Sequence, residues 1–391
     1  MKKSFKFIVS LFLIFFLLTS CGIDTPEQFK RIPAEYKVAV AKAIVAGDQN
    51  KSEILSLIDT IPDVWMNDLC FLLENMPSHD LKELKCDFLF ENIQLSRKVY
   101  DQSPWKEQIP HEIYLNNILP YASVNERRDN FKADFYKRFY PLIENCKTPG
   151  EAAVCLNNQI WDILNVQYST KRPKADQSPY ESIEAHLASC TGLSILLIDV
   201  CRSVGIPMRF VGAPKWVTVP GNHSWVEVWD NNNWHFLGAW EPGPLNQTWF
   251  QHRASFADST HIMHSIYATS FEKTGMLFPT VWDSTVNYVH AVNVSSRYAV
   301  VKDESEKVEL AVRVYDKATG DRIAAQVELW HEGMKVATGE SKDELHDTND
   351  VLSFTVEQNM EIKLKVQYED RISTKSYITT NMRVQIMDII L

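Results

Sequence analysis

Two short stretches carry residue types able to do covalent chemistry together. In Ser189-Cys190-Thr191-Gly192-Leu193-Ser194, a cysteine precedes an apolar run from Leu193 to Val204 that stops at Gly205 and Pro207, ordinary helix stop signals. Cys190 therefore stands at a predicted helix start. Unpaired N–H groups and a partial positive charge there favour thiolate, the nucleophilic form. The same N–H groups suit a developing oxyanion. Taken alone, a cysteine ahead of an apolar helix is usually a core residue. The second stretch is Gly221-Asn222-His223-Ser224-Trp225-Val226-Glu227-Val228-Trp229. Its alternation predicts a strand opening at His223, with His223, Trp225 and Glu227 on one face. An imidazole held on a strand suits a general base. Trp225 is either a wall of the substrate cleft or a core aromatic. Asn222 is a further cleft residue, and Glu227 is given no catalytic role.

These side chains need elements to position them. Residues 21–135 read as a helical region, with helix-former patterns over Pro33–Ala46, Lys51–Ile58, Trp65–Asn75 and Leu81–Tyr100; its charges are spread as on solvated faces. Residues 136–265 hold the chemistry. There a helix is expected over Glu151–Val166, and strands over Met208–Val211, Trp216–Val219 and Ser224–Trp229. The turn Asp230-Asn231-Asn232-Asn233 then leads to a strand from Trp234 to Leu237. Residues 266–290 read as a connecting segment. Residues 291–391 change to short alternating runs, Lys307–Tyr315, Ala324–Trp330, Val351–Val356 and Ile362–Tyr368, the spacing of an immunoglobulin-like β-sandwich.

Together the two stretches resemble the transglutaminase-like superfamily of the papain-type cysteine fold. The resemblance spans the central region, and rests on Cys-x-Gly-x-Ser, a helix ending in Gly-Ile-Pro-Met-Arg-Phe-Val, and Asn-His-Ser-Trp-Val-Glu-Val-Trp followed by Trp234. It implies an α+β core with Cys190 as nucleophile, His223 as base and an acid on the next strand. In many relatives that acid is an aspartate four residues after the tryptophan. Here that position is Gly238, and Glu241 is the nearest acid. Glu241 is the expected third member, since a carboxylate fixes the imidazole tautomer. Asp230, Asp258, Asn222 or a water are its alternatives. The whole layout, with helical region and terminal sandwich, also looks like a group of bacterial lipoproteins.

The N-terminus agrees with export. Lys2, Lys3 and Lys6 precede the apolar run Phe7–Leu18, the shape of a secretory signal over residues 1–20. Leu18-Thr19-Ser20-Cys21 resembles a lipobox, which makes Cys21 the lipid-bearing residue and places the mature chain on the cell envelope. The mildly acidic stretch after it weakly favours the outer membrane over other sites. Of the other six cysteines, Cys146 and Cys155 are the closest candidate pair and Cys201 is a core residue. No CxxC pair occurs, and His252, His261 and His264 form no ligand pattern, so no metal site is expected. No nucleotide-binding glycine motif is present either. A net charge of −10 gives no general attraction to nucleic acid. The expected activity is cysteine-dependent cleavage of an amide in a peptide, protein or glycopeptide through a thioester. The alternatives are transamidation, glycan removal from asparagine, or a non-catalytic peptide- or glycan-binding surface protein or envelope scaffold.

Overall fold

A computed structural model describes residues 28–299 and 307–391. The expected signal segment and the lipidation residue Cys21 lie outside the described residues. The chain is an α+β protein with N-terminal helices, a central region of helices packed on a five-stranded sheet and a C-terminal β-sandwich.

The helical region is built from α1 (Lys37–Ala46), α2 (Lys51–Thr60), α3 (Met66–Asn75) and α4 (Cys86–Gln102), with shorter helices between them. Their apolar faces share one core with the central region, running from Phe29 to Ala291. Polar groups fix this packing. Buried Asp68 accepts two hydrogen bonds from Arg97 and one from the Tyr114 hydroxyl. Burial raises the Asp68 carboxyl, against the opposing pull of Arg97. Among the described residues no helix is long and apolar enough to cross a membrane.

In the central region, α5 (Lys132–Ile143) and α6 (Pro149–Asn157) precede α7 (Cys190–Ser203). The helix expected over Glu151–Val166 is two pieces, α6 and Ile160–Leu164, broken at Asn158–Gln159. From Thr191 to Ser203 every residue of α7 is buried, against α5 and the central sheet. Its C-terminal end is held from the helical region. Arg202 donates to the Asn117 and Ala122 carbonyls, and the Trp105 indole to the Gly205 carbonyl. Gly205 ends the helix at φ +83°, where an added Cβ would meet the Val99 carbonyl oxygen at 2.9 Å. Cys146 and Cys155 lie side by side as thiols; burial, then Cys155, pushes Cys146 up to about 11. Cys201 is wholly buried.

The central sheet comprises β1 (Met208–Ala213), β2 (His223–Asp230), β3 (Asn233–Leu237), β4 (Tyr267–Ser270) and β5 (His290–Asn293). It is antiparallel throughout, in the order β3-β2-β1-β4-β5. Asn231 and Asn232 take positive φ between β2 and β3, the two-residue turn that suits strand twist. Three expectations are corrected here. Trp216–Val219 is a loop closed by Trp216 N–H on the Gly221 carbonyl, not a strand. The segment 266–290 is no mere connection, because it supplies β4 and reaches β5. The sheet therefore runs past residue 291, where the sandwich was expected to begin. Strand β4 buries Tyr267, Ala268 and Thr269 in a row and β5 buries Ala291 alone, so neither shows the alternation that announces a strand.

The sandwich pairs a four-stranded sheet with a three-stranded one around a core that includes Leu310, Val327 and Leu364. In chain order the strands are β6 (Lys307–Tyr315), β7 (Gln326–His331), β8 (Met334–Glu340), β9 (Leu352–Glu357), β10 (Glu361–Tyr368), β11 (Arg371–Ile378) and β12 (Val384–Ile390). The sheet orders are β8-β7-β10-β11 and β9-β6-β12, with β6 and β12 parallel. Strands β8, β11 and β12 were not foreseen. Strands β8 and β11 are the edges of the four-stranded sheet and mostly exposed, so neither needs a buried apolar alternation, whereas β12 does alternate, burying Val384, Met387 and Ile389.

Candidate active site

Cys190 is the first residue of α7. Ser189 is its N-cap: the side-chain oxygen accepts from Gly192 N–H at 3.1 Å and its hydroxyl donates to the Ala175 carbonyl. That cap fixes the first turn and leaves its leading N–H groups at the thiol. His223 is the first residue of β2, paired with Ala213 of β1. A hydroxyl contact of 3.0 Å between Thr191 and Ser224 ties the helix start to the strand start. Cys190 and His223 are therefore fixed by adjacent residues on two packed elements. The Cys190 sulfur, a His223 ring nitrogen and an Asp347 carboxylate oxygen lie within 4.8 Å of one another.

The imidazole is almost wholly buried, at 2% exposure. Trp249 and Phe250 crowd it, with ring centroids at 4.7 and 4.9 Å. A carboxylate faces each of its nitrogens. Glu241 Oε1 is 3.7 Å from Nε2, and Asp347 Oδ2 is 3.5 Å from Nδ1. Burial alone lowers the His223 pKa. The Asp347 charge, with contacts from Cys190 and Glu241, outweighs it and holds the ring well above its ordinary value. Asp347 moves the opposite way: burial raises it, but His223 and two hydrogen bonds from Asn349 bring it below the usual carboxylate range.

Glu241 reaches the ring because position 238 is glycine. A Cβ on Gly238 would lie 2.1 Å from Glu241 Oε2, so the glutamate carboxyl occupies the space a side chain there would take. The tight turn after β3 brings it back: Glu241 N–H bonds the Gly238 carbonyl, and Trp240 takes φ +69°. Asn157 on α6 holds both ends, donating to the Gly238 and Glu241 carbonyls at 3.0 and 2.9 Å. The Trp249 indole donates to Glu241 Oε1 at 2.7 Å.

Other expectations fall elsewhere. Trp225 lines neither cleft at Cys190; fully buried, it donates to the Tyr298 hydroxyl as a core aromatic. Asn222 lines the smaller cleft, and its carbonyl accepts from the Asn349 side chain at 2.8 Å. Glu227 is buried in an ion pair with Arg209 and Arg297. Asp230 bonds Thr148 and Asn231 at the far end of β2, and Asp258 bonds Thr260. Asp347 was missed altogether. It sits in the loop between β8 and β9 of the sandwich, and nothing in the local sequence marks it. Tyr168 bonding Thr348, and Arg253 bonding the Asn349 carbonyl, dock that loop on the core.

Two clefts meet at Cys190, Tyr168 and Asp347. The larger, about 800 Å³, is walled by Trp161, Trp240 and Trp249 and carries Glu241 and Asp350. The smaller, about 500 Å³, carries Arg172, Arg253 and Arg313.

Residues 138–239 match the family model described as the transglutaminase-like superfamily, so this stretch is a domain of that superfamily. Among solved structures, the chain is similar to a candidate cysteine protease from Cytophaga hutchinsonii, with 20% identity and a TM-score of 0.25. The match covers 29% of this chain and 39% of that one. No curated protein matches.

Proposed function

We propose that this chain is an envelope-anchored, cysteine-dependent amide hydrolase acting on peptides or glycopeptides through a thioester. The observation that carries the reading is the convergence of a helix-start thiol, a buried imidazole and two carboxylates where two clefts meet. His223 takes the thiol proton, so that Cys190 reacts as the thiolate beside an imidazolium. Its sulfur attacks the amide carbonyl carbon, and the carbonyl electron pair moves to oxygen. First-turn N–H groups of α7 stabilise that oxyanion. As the oxyanion collapses, the C–N bond breaks and His223 gives its proton to the departing amine. His223 then takes a proton from water, whose oxygen attacks the thioester and releases the acid and the thiolate. Glu241 keeps the ring oriented through Nε2. Export and lipid attachment at Cys21 place this chemistry where water is the default acceptor.

The test is thiol labelling of the purified chain. Iodoacetamide should modify Cys190 faster than the partly exposed Cys86, Cys146 and Cys155, and His223→Ala should slow it by about 100-fold or more. Equal rates at all four thiols would leave a binding protein with a vestigial cleft.

A further inference from the structure

We infer that Cys190, His223 and Asp347 form a site for a zinc-class divalent cation that reversibly masks the nucleophile. The donors are a sulfur, a ring nitrogen and a carboxylate oxygen, each a donor type that zinc takes, and three protein ligands leave a fourth tetrahedral position open. Around a tetrahedral zinc such donors stand roughly 3.5 Å apart. Nδ1 and Asp347 Oδ2 are already at 3.5 Å, and all three donors fall within 4.8 Å. A modest contraction closes the site.

The surroundings point the same way. The ring nitrogens of His223 are buried and make no close hydrogen bond, the facing carboxylate oxygens standing at 3.5 Å from Nδ1 and 3.7 Å from Nε2. Asp347 Oδ1 is held by the Asn349 backbone N–H at 2.8 Å and its side-chain amide at 3.0 Å, which leaves Oδ2 for a metal. Glu241 stands at Nε2, and the Trp249 indole holds Glu241. A carboxylate on the far nitrogen is how ligating histidines are usually oriented. Thiolate and carboxylate together balance the charge of a dication held directly between them. The fourth position opens to the clefts, where a water completes the shell. Binding releases the proton of the thiol–imidazole pair and involves no redox change. It also ties up the sulfur lone pair that would attack a carbonyl. The masking rests on the thiol reading above; the binding does not.

The chelator-stripped chain is titrated with Co²⁺ and Zn²⁺. One equivalent of Co²⁺ should give a thiolate charge-transfer band, absent in Cys190→Ala and weakened about 10- to 100-fold in affinity in Asp347→Asn. Zn²⁺, but not Mg²⁺, should protect Cys190 from iodoacetamide until a chelator is added. A missing band, or one indifferent to Asp347→Asn in a chain whose circular dichroism is unchanged, overturns the inference. The metal-free alkylation rate separates the two claims. Fast alkylation without a band leaves the enzyme and removes the metal site; a band with slow alkylation does the reverse.

Discussion

A single missing side chain explains the acid at this site. Where relatives carry an aspartate on the returning strand, Gly238 leaves a gap, and the longer Glu241 fills it from three residues further on. The two positions act as one unit. Gly238→Ala should push the carboxyl off the ring and lower Cys190 alkylation about 10- to 100-fold, as Glu241→Gln should. Only the flexible end of Glu241 meets the new methyl, so the melting temperature should hardly move. A drop in activity for Glu241→Gln with none for Gly238→Ala would sink the coupling. The other carboxylate is tested by pH. Asp347 raises the His223 pKa, so its contribution to stability is present while both groups are charged in the folded state. It is full between about pH 4 and pH 6.5, the unfolded values of the two groups. It fades as pH rises through the folded value of His223. Urea unfolding of wild type and Asp347→Asn should differ most in that window and converge in alkali. A constant gap across pH would point to packing instead. Cys190 and His223 were legible because each sits in its own short motif. Asp347 was not, because no local pattern joins a sandwich loop to a histidine in another region.

At the scale of elements, the strand and helix starts were readable where a buried face forces a pattern. Helix α7 is buried from Thr191 on and strand β2 everywhere but Trp229, and their apolar runs showed it. Strands β4, β8 and β11 are short or edge-exposed, and their sequences carry little period. The cap at Ser189 is an element-level device: Ser189→Ala should cost about 1 kcal/mol in urea unfolding. It should also slow Cys190 alkylation, since the first turn frays. Loss of stability with an unchanged alkylation rate would separate the cap from the chemistry. The helical region is tied in by buried charge. Arg97→Met strands Asp68, which has no exposure, and should destabilise by about 3–5 kcal/mol. Restoring stability with the double change Asp68→Asn/Arg97→Met would confirm that the cost is the orphaned carboxylate.

Across the whole molecule, the three expected regions share cores. One cluster runs from Phe29 through the central helices to Ala291. Another joins Val211, Trp225 and Phe250 of the centre to Ala311 and Val384 of the sandwich. Multidomain chains usually unfold in steps. Here calorimetry should show one transition containing both the centre and the sandwich. A separate early transition for the sandwich would contradict the shared core. Sequence composition marked where regions change character but not that apolar clusters cross those boundaries, because an interface residue and a core residue look alike in one chain.

The loop carrying Asp347 has a practical consequence. An expression fragment trimmed to the recognisable 102-residue homology block, 138–239, would keep the sulfur and the imidazole yet carry neither acid. An inactive preparation of that kind would report on where the scissors fell rather than on the protein.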